Sequence, residues 1–177
     1  MSTIYSLETL NSTRAIQPIT MSIGRTIQTS TVLRADWKKA SPIALKTMIG
    51  LADFGRTCGL EKSLIKLVNI RVSQLNSSMH CLEMQSKTAI EAGESEKRIN
   101  VLTAWREAPY FTPRERAALA WAEAVTFASE NRVPDELYEE VRKHFSEKEL
   151  VDLTLTIVGI NGWNRLHIAF RTQVPNV

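Results

Sequence analysis

The chain has 177 residues, 44% of them hydrophobic and 23% charged, with a formal charge of +3. That is the length of one domain with a substantial buried core, and the composition excludes an intrinsically disordered chain. No apolar run approaches the roughly 20 residues of a membrane helix, and the small basic excess comes with no helix-turn-helix, zinc-finger or aromatic RNA-binding signature, so neither membrane insertion nor nucleic-acid binding is expected.

Residues 1–35 are rich in Ser and Thr, nearly free of acids and without helical periodicity. We read them as an N-terminal arm, flexible, ahead of a helical domain over 36–177. From Ser41 the chain is punctuated as helices. Ser41-Pro42 sets a capping hydroxyl before a proline at the first helical position, and Leu45, Met48, Ile49 and Ala52 then share a face until Gly59, which predicts a helix over 42–58. Glu61 opens a second, with Leu64, Leu67 or Val68, and Leu75 facing the core and Ile70 at the margin of that face. A third starts near Ser77 or Ser78 and stops at Gly93, since glycine most readily takes the left-handed conformation after a helix end. Ser95 caps a fourth through Ala108, stopped by Pro109. Thr112-Pro113-Arg114-Glu115 is a capping box leading into an Ala-rich helix with Ala118, Trp121, Ala122 and Val125 on one side. Pro134-Asp135 starts a short helix carrying Leu137, Val141 and Phe145. Ser146-Glu147-Lys148-Glu149 repeats the capping box ahead of Leu150, Leu153 and Ile157. Gly159 and Gly162 interrupt that last apolar run, giving two helices, or one with a close interhelical contact where side-chain bulk is excluded. Strand signals are almost absent, so the fold class is all-α, a helical bundle.

The two cysteines, Cys58 and Cys81, and the lack of an apolar signal-peptide segment fit a reducing, cytoplasmic compartment. Cys58 reads as a small buried hydrophobe. Cys81 falls at the start of the third helix, where unpaired backbone N–H groups and the helix dipole favour a thiolate. His80 precedes it directly, and adjacent helical residues point about 100° apart, so His80 reads as a pocket-lining or interface residue rather than the base for that thiol. No second Cys or His lies within a turn to complete a tetrahedral set, and neither a metal nor a cofactor is expected.

The segment 76–85, Asn76-Ser77-Ser78-Met79-His80-Cys81-Leu82-Glu83-Met84-Gln85, closely resembles the AhpD-like alkylhydroperoxidase and carboxymuconolactone decarboxylase family. So do its flanks and the blocks 100–107, 114–121 and 161–166, and the likeness runs from about Trp37 to Pro175. It implies an AhpD-like helical bundle assembled as a homo-oligomer, a trimer or hexamer. In the redox-active branch a glutamate is followed after eleven residues by Cys-x-x-Cys, with a histidine four residues past the second cysteine. Those places fall here on Lys66, Ser78, Cys81 and Gln85, and only Cys81 keeps the family residue. The family scheme closes a disulfide between the paired thiols and relays protons through the glutamate and histidine. A serine cannot form a disulfide, Gln85 cannot titrate, and an unperturbed Lys66 stays protonated.

The resemblance therefore implies a peroxiredoxin-type antioxidant activity that is at best one-cysteine. Cys81 would be its redox centre, Lys66 would stabilise the thiolate if it keeps the family position, and an external thiol would act as reductant. Two alternatives stand beside it: a catalytically inactive member acting as an oligomeric binding or scaffold protein, and a lyase like carboxymuconolactone decarboxylase. Arg165 is expected to tie the last helix to the motif helix, held by a carboxylate such as Glu83 or Glu123.

Overall fold

A computed structural model describes residues 32–174. Most of the expected arm, 1–31, lies outside the described residues. Where the description begins, Arg34 is tied to the far end of the chain: its backbone N–H donates to Phe170 O and its guanidinium to Ala169 O, both at 3.0 Å.

Except after Ser95, the helices start and stop where the punctuation says. A short turn, α1 (Trp37–Ala40), leads through Ser41, whose hydroxyl accepts from Ala44 N, into α2 (Pro42–Thr57). Gly59 follows with φ +98°, a conformation that L side chains rarely adopt. Helix α3 (Lys62–Leu75) opens after Glu61, and α4 (Met79–Glu91) after Ser78. Between them Ser77 takes φ 54°, its N–H donates to Gln74 O, and Ser78 N–H donates to Ser73 O, both at 3.0 Å. This is a Schellman-type close with serine where glycine is usual. Both capping boxes form, Thr112 with Glu115 at the head of α6 (Pro113–Thr126) and Ser146 with Glu149 at the head of α9 (Glu147–Phe170). A single turn, α7 (Ala128–Asn131), and α8 (Asp135–Arg142) join them. Among the described residues there is no strand, and none of the helices is long and apolar enough to cross a membrane.

The expected helix through Ala108 breaks. Only α5 (Glu96–Asn100) is regular, followed by a 3-10 turn over Leu102–Ala104. The buried residues there, Ile99, Leu102, Trp105 and Ala108, recur every three positions, the 3-10 spacing rather than the α spacing. The carbonyls freed by the break are taken up by one side chain: Arg116 donates to Trp105 O at 2.9 Å, Arg106 O at 3.0 Å and Phe111 O at 3.1 Å.

Helix α3 is the axis of the bundle and carries two apolar faces. Leu64, Val68 and Val72 join Cys81, Ala118, Trp121, Leu153 and Ile157 in one cluster. Leu67 and Ile70 join Leu102, Trp105, Phe111 and Leu119 in another. Ile70, expected at a margin, is thus fully buried, whereas Leu75 is only half-buried. Ile49, expected on the core face of α2, is 44% exposed, because α2 meets α9 through Met48 and Gly55 instead.

The last apolar run is one helix, and its glycines exclude less bulk than expected. A Cβ on Gly159 would sit 3.5 Å from Leu51 Cβ, an ordinary contact, and one on Gly162 would meet only the mobile end of Met48, at 3.0 Å from Cε.

Candidate functional site

The turn between α3 and α4 is held by α9. Asn161 Oδ1 accepts from Asn76 Nδ2 at 2.9 Å, its Nδ2 donates to Thr126 Oγ1 at 3.1 Å, and Ser73 Oγ donates to Asn164 Oδ1 at 3.2 Å. The block around Asn161 therefore does link the last helix to the motif, but not through Arg165, which is exposed and donates to Asn161 O at 3.1 Å and Oδ1 at 2.7 Å. The expected carboxylate partners fall elsewhere. Glu123 takes Arg71 and Arg106, each at 2.7 Å, and Trp105 Nε1 at 2.8 Å. Burial opposes its ionisation, yet the donors Arg106, Trp105 and Arg71 hold its carboxyl below the usual range.

This turn delivers Ser78 and Cys81 into the interior. Cys81 is 0% exposed, packed in the first apolar cluster, and Ser78 is 1% exposed. The dipole of α4 does not decide the thiol chemistry. Burial pushes the Cys81 thiol up, with Ser78 and then Lys38 acting weakly against it. The Ser78 hydroxyl lies beside the sulfur and favours its thiolate, although it forms no hydrogen bond of regular geometry among the described residues. Cys58 and Cys81 are both free thiols.

The other three positions line a cavity that Ser78 and Cys81 do not. His80, Met84, Gln85 and Thr88 form a wall of this open cavity of about 580 Å³ between α2, α3, α4 and α9, although Gln85 and Thr88, four and seven residues on, share the side of the helix that carries Cys81. Lys66 lines the same cavity, but its ammonium donates to Thr88 O at 2.8 Å, tying α3 to α4. The cation acting on the Cys81 thiol is Lys38, not Lys66. Thus Lys66, Gln85 and His80 line one cavity, while Ser78 and Cys81 are buried in the core and do not line it.

His80 Nδ1 sits 3.0 Å from Gln173 O, and its ring stacks on His167 at 4.1 Å between centroids. His167 in turn stacks on Trp163 at 5.7 Å and meets Trp37 edge-on at 5.9 Å. It is 4% exposed, and burial, with repulsion from His80 and Lys38, pushes it down to about 4, so the imidazole is neutral near pH 7. Its Nδ1 is buried without a hydrogen-bond partner. Sequence reasoning gave His167 little weight; the signal it passed over was Trp163 and His167 four residues apart, one helical face closing over the motif. Lys38 and Lys62, at the rims of α1 and α3, could not have been assigned to one cavity without the tertiary fold. Among the described residues no group of three or more His, Cys, Asp or Glu side chains is placed to hold a metal ion.

The all-α bundle with a cysteine at a helix start agrees with what comparison with known proteins finds. A model of the carboxymuconolactone decarboxylase family matches residues 44–124. The Bacillus subtilis protein YdfG, itself uncharacterized, is 39% identical over 143 residues, 81% of this chain and 97% of YdfG. The crystal structure of a protein of unknown function from Agrobacterium tumefaciens, a candidate AhpD antioxidant defence protein, is 40% identical with a TM-score of 0.80, covering 82% of this chain and all of that one. The debrominase Bmp8, solved with 2,3,4-tribromopyrrole, has a TM-score of 0.68 over 77% of this chain and 73% of its own, at 19% identity, a likeness of fold alone. The chain belongs to the carboxymuconolactone decarboxylase family, with the AhpD-like fold.

Proposed function

We propose that this protein is a small-molecule-binding member of its family that does not run a thiol peroxidase cycle. The observation that carries the reading is a separation at α4: its cysteine is sealed in the core with a raised pKa and does not line the cavity beside the same helix, which remains open. A thiol reacts with peroxide as the thiolate, and reactive cysteines are partly exposed in electropositive surroundings. Cys81 is not exposed, the one cation that acts on it, Lys38, does not outweigh burial, and Ser78 leaves it without a resolving thiol at the family position. The expected homo-oligomer belongs to the same reading. Ile43 on α2 is 81% exposed and Val151 and Val158 on α9 are 65% and 49%, apolar side chains that subunit contacts would cover, and light scattering would read the mass of a trimer or hexamer.

The likeness to the Agrobacterium tumefaciens protein favours a second reading. If the start of α4 opens, the Cys81 thiolate attacks the distal peroxide oxygen, leaving a sulfenic acid and an alcohol, and two equivalents of an external thiol restore it with release of water.

One pair of measurements separates the two. The pH dependence of Cys81 alkylation should lie above that of a free thiol, and peroxide consumption with a small thiol reductant should be the same in the parent and in Cys81→Ser. Turnover lost in Cys81→Ser, with fast alkylation at neutral pH, would establish the second reading and overturn the first.

A further inference from the structure

The cavity walls are mainly apolar, with Leu51, Ile65, Met84, Ile160 and Trp163 among them, yet every formally charged side chain on them is a cation: Lys38, Arg56, Lys62 and Lys66. Two of these are already engaged, Arg56 with Asp53 and Lys66 with the Thr88 carbonyl. Among the described residues Lys62 has no carboxylate within ion-pair distance, and Lys38 leans over the Trp37 ring, 6.0 Å from its centroid. Four like charges around one concave space raise the local potential and draw in an anion. The cavity size is that of a small-molecule site rather than a surface for a macromolecule.

Two polar atoms on residues that line this space lack partners among the described residues. His167 Nδ1, on a side chain more than nine-tenths buried, and Asn69 Oδ1, on the α3 wall, are both buried with no hydrogen bond from them. Buried polar atoms are ordinarily paired, and an orphan on a cavity-lining residue can be met by a ligand or water once its side chain turns to the cavity. Held neutral, the imidazole can donate through Nδ1 in one tautomer. The Asn69 amide can turn to present its NH₂ instead of its oxygen. Inorganic anions would leave the hydrocarbon walls unused, and a neutral apolar molecule would leave the lysines unanswered.

We propose that this cavity binds a small amphiphilic monoanion, a carboxylate on an apolar chain of medium length. The carboxylate sits by Lys38, at the end of the cavity that His167 closes, with Lys62 adding to the positive potential from the far end, and the hydrocarbon lies along Met84, Ile160 and Trp163. The proposal rests on the small-molecule-binding reading above and names the ligand class.

The test is titration of the full-length protein with octanoate, its uncharged isostere octanamide and the short anion butyrate, followed by calorimetry and by tryptophan fluorescence, for which Trp163 is the reporter. Octanoate should bind at least about ten-fold more tightly than either, a difference of one ion-paired contact, and its affinity should fall as salt is raised. The double variant Lys38→Gln/Lys62→Gln should lose that preference for octanoate over octanamide while keeping the parent's circular dichroism, and Lys143→Gln, off the cavity, should keep it. Equal binding of octanoate and octanamide would overturn the anion assignment yet leave the binding reading standing. No heat or fluorescence change with any of the three would overturn both, and equal binding of butyrate and octanoate would overturn the apolar half of the assignment.

Discussion

Two neighbouring residues at the start of α4 are built to opposite rules. Cys81 points into a close-packed cluster where Ser78 and Lys38 act on it but do not outweigh burial, and His80 points into a cavity whose lining residues carry unpaired polar atoms. A helix start is thus not sufficient to activate a thiol. The dipole contributes up to about 1 kcal/mol at an exposed end, whereas moving an anion into a dry interior costs several kcal/mol, and at Cys81 burial wins.

The contrast can be broken most forcefully on the sealed side. Leu153→Ala, fully buried beside Cys81 in the first cluster, should lower unfolding free energy by about 2–5 kcal/mol, measured by urea denaturation. Met84→Ala on the cavity wall, 42% exposed, should cost well under half of that. Comparable losses would mean the cavity is as tightly packed as the core and the division is not real.

Next in size is the thiol itself. Cys81→Ser places a hydroxyl where the neighbouring Ser78 oxygen already lacks a partner, so a loss of about 1–3 kcal/mol is expected unless the two hydroxyls pair with each other. Cys81→Ala should be milder. If serine proves as stable as cysteine, water reaches this pocket and the thiol is not sealed.

A pH profile sharpens the open side. His167 has a folded pKa of about 4 against an ordinary 6.5. Below pH 6.5 the unfolded chain takes up a proton that the folded chain refuses, so stability falls as pH drops toward 4 and levels off below it. The full loss is roughly 2 kcal/mol after allowing for water at the cavity mouth. The lowered carboxyls, Glu61, Glu123 and Glu149 (the last held at about 2), add their losses only below about 4.5. Thermal melts of the parent and of His167→Phe between pH 6.5 and 5 isolate the histidine, and the variant should lose most of the slope.

The smallest effect belongs to the turn that sets both sides. Ser77, at φ 54°, should accept glycine with a gain of up to about 1 kcal/mol in urea denaturation, since the left-handed conformation is free of Cβ strain there. A loss instead would show that the Ser77 side chain has a role of its own in the turn.

Much of the architecture was legible because local chemistry specifies it. Capping boxes at Thr112 and Ser146, and glycines at Gly59 and Gly93, act within a few residues, and each ended or began a helix where expected. The segment after Ser95 was misread because an apolar spacing of three and a spacing of 3.6 differ little over a dozen residues, and because the residue that stabilises the break, Arg116, lies on another helix. Arg165 was assigned a carboxylate because such a partner is the usual one, while the available Glu123 was already surrounded by Arg71, Arg106 and Trp105.

The candidate site divides the same way. The positions of Lys66, Ser78, Cys81 and Gln85, and the chemical consequence of lacking a second thiol, follow from residue types and spacing. Which of them share a space does not, since solvation is a property of what packs around a side chain. The primary structure alone determined an all-α bundle of this family with a single thiol at its motif. The tertiary structure decided that this thiol is dry and that four cations from α1, α2 and α3 face one cavity, because burial and electrostatic potential are sums over residues distant in the chain.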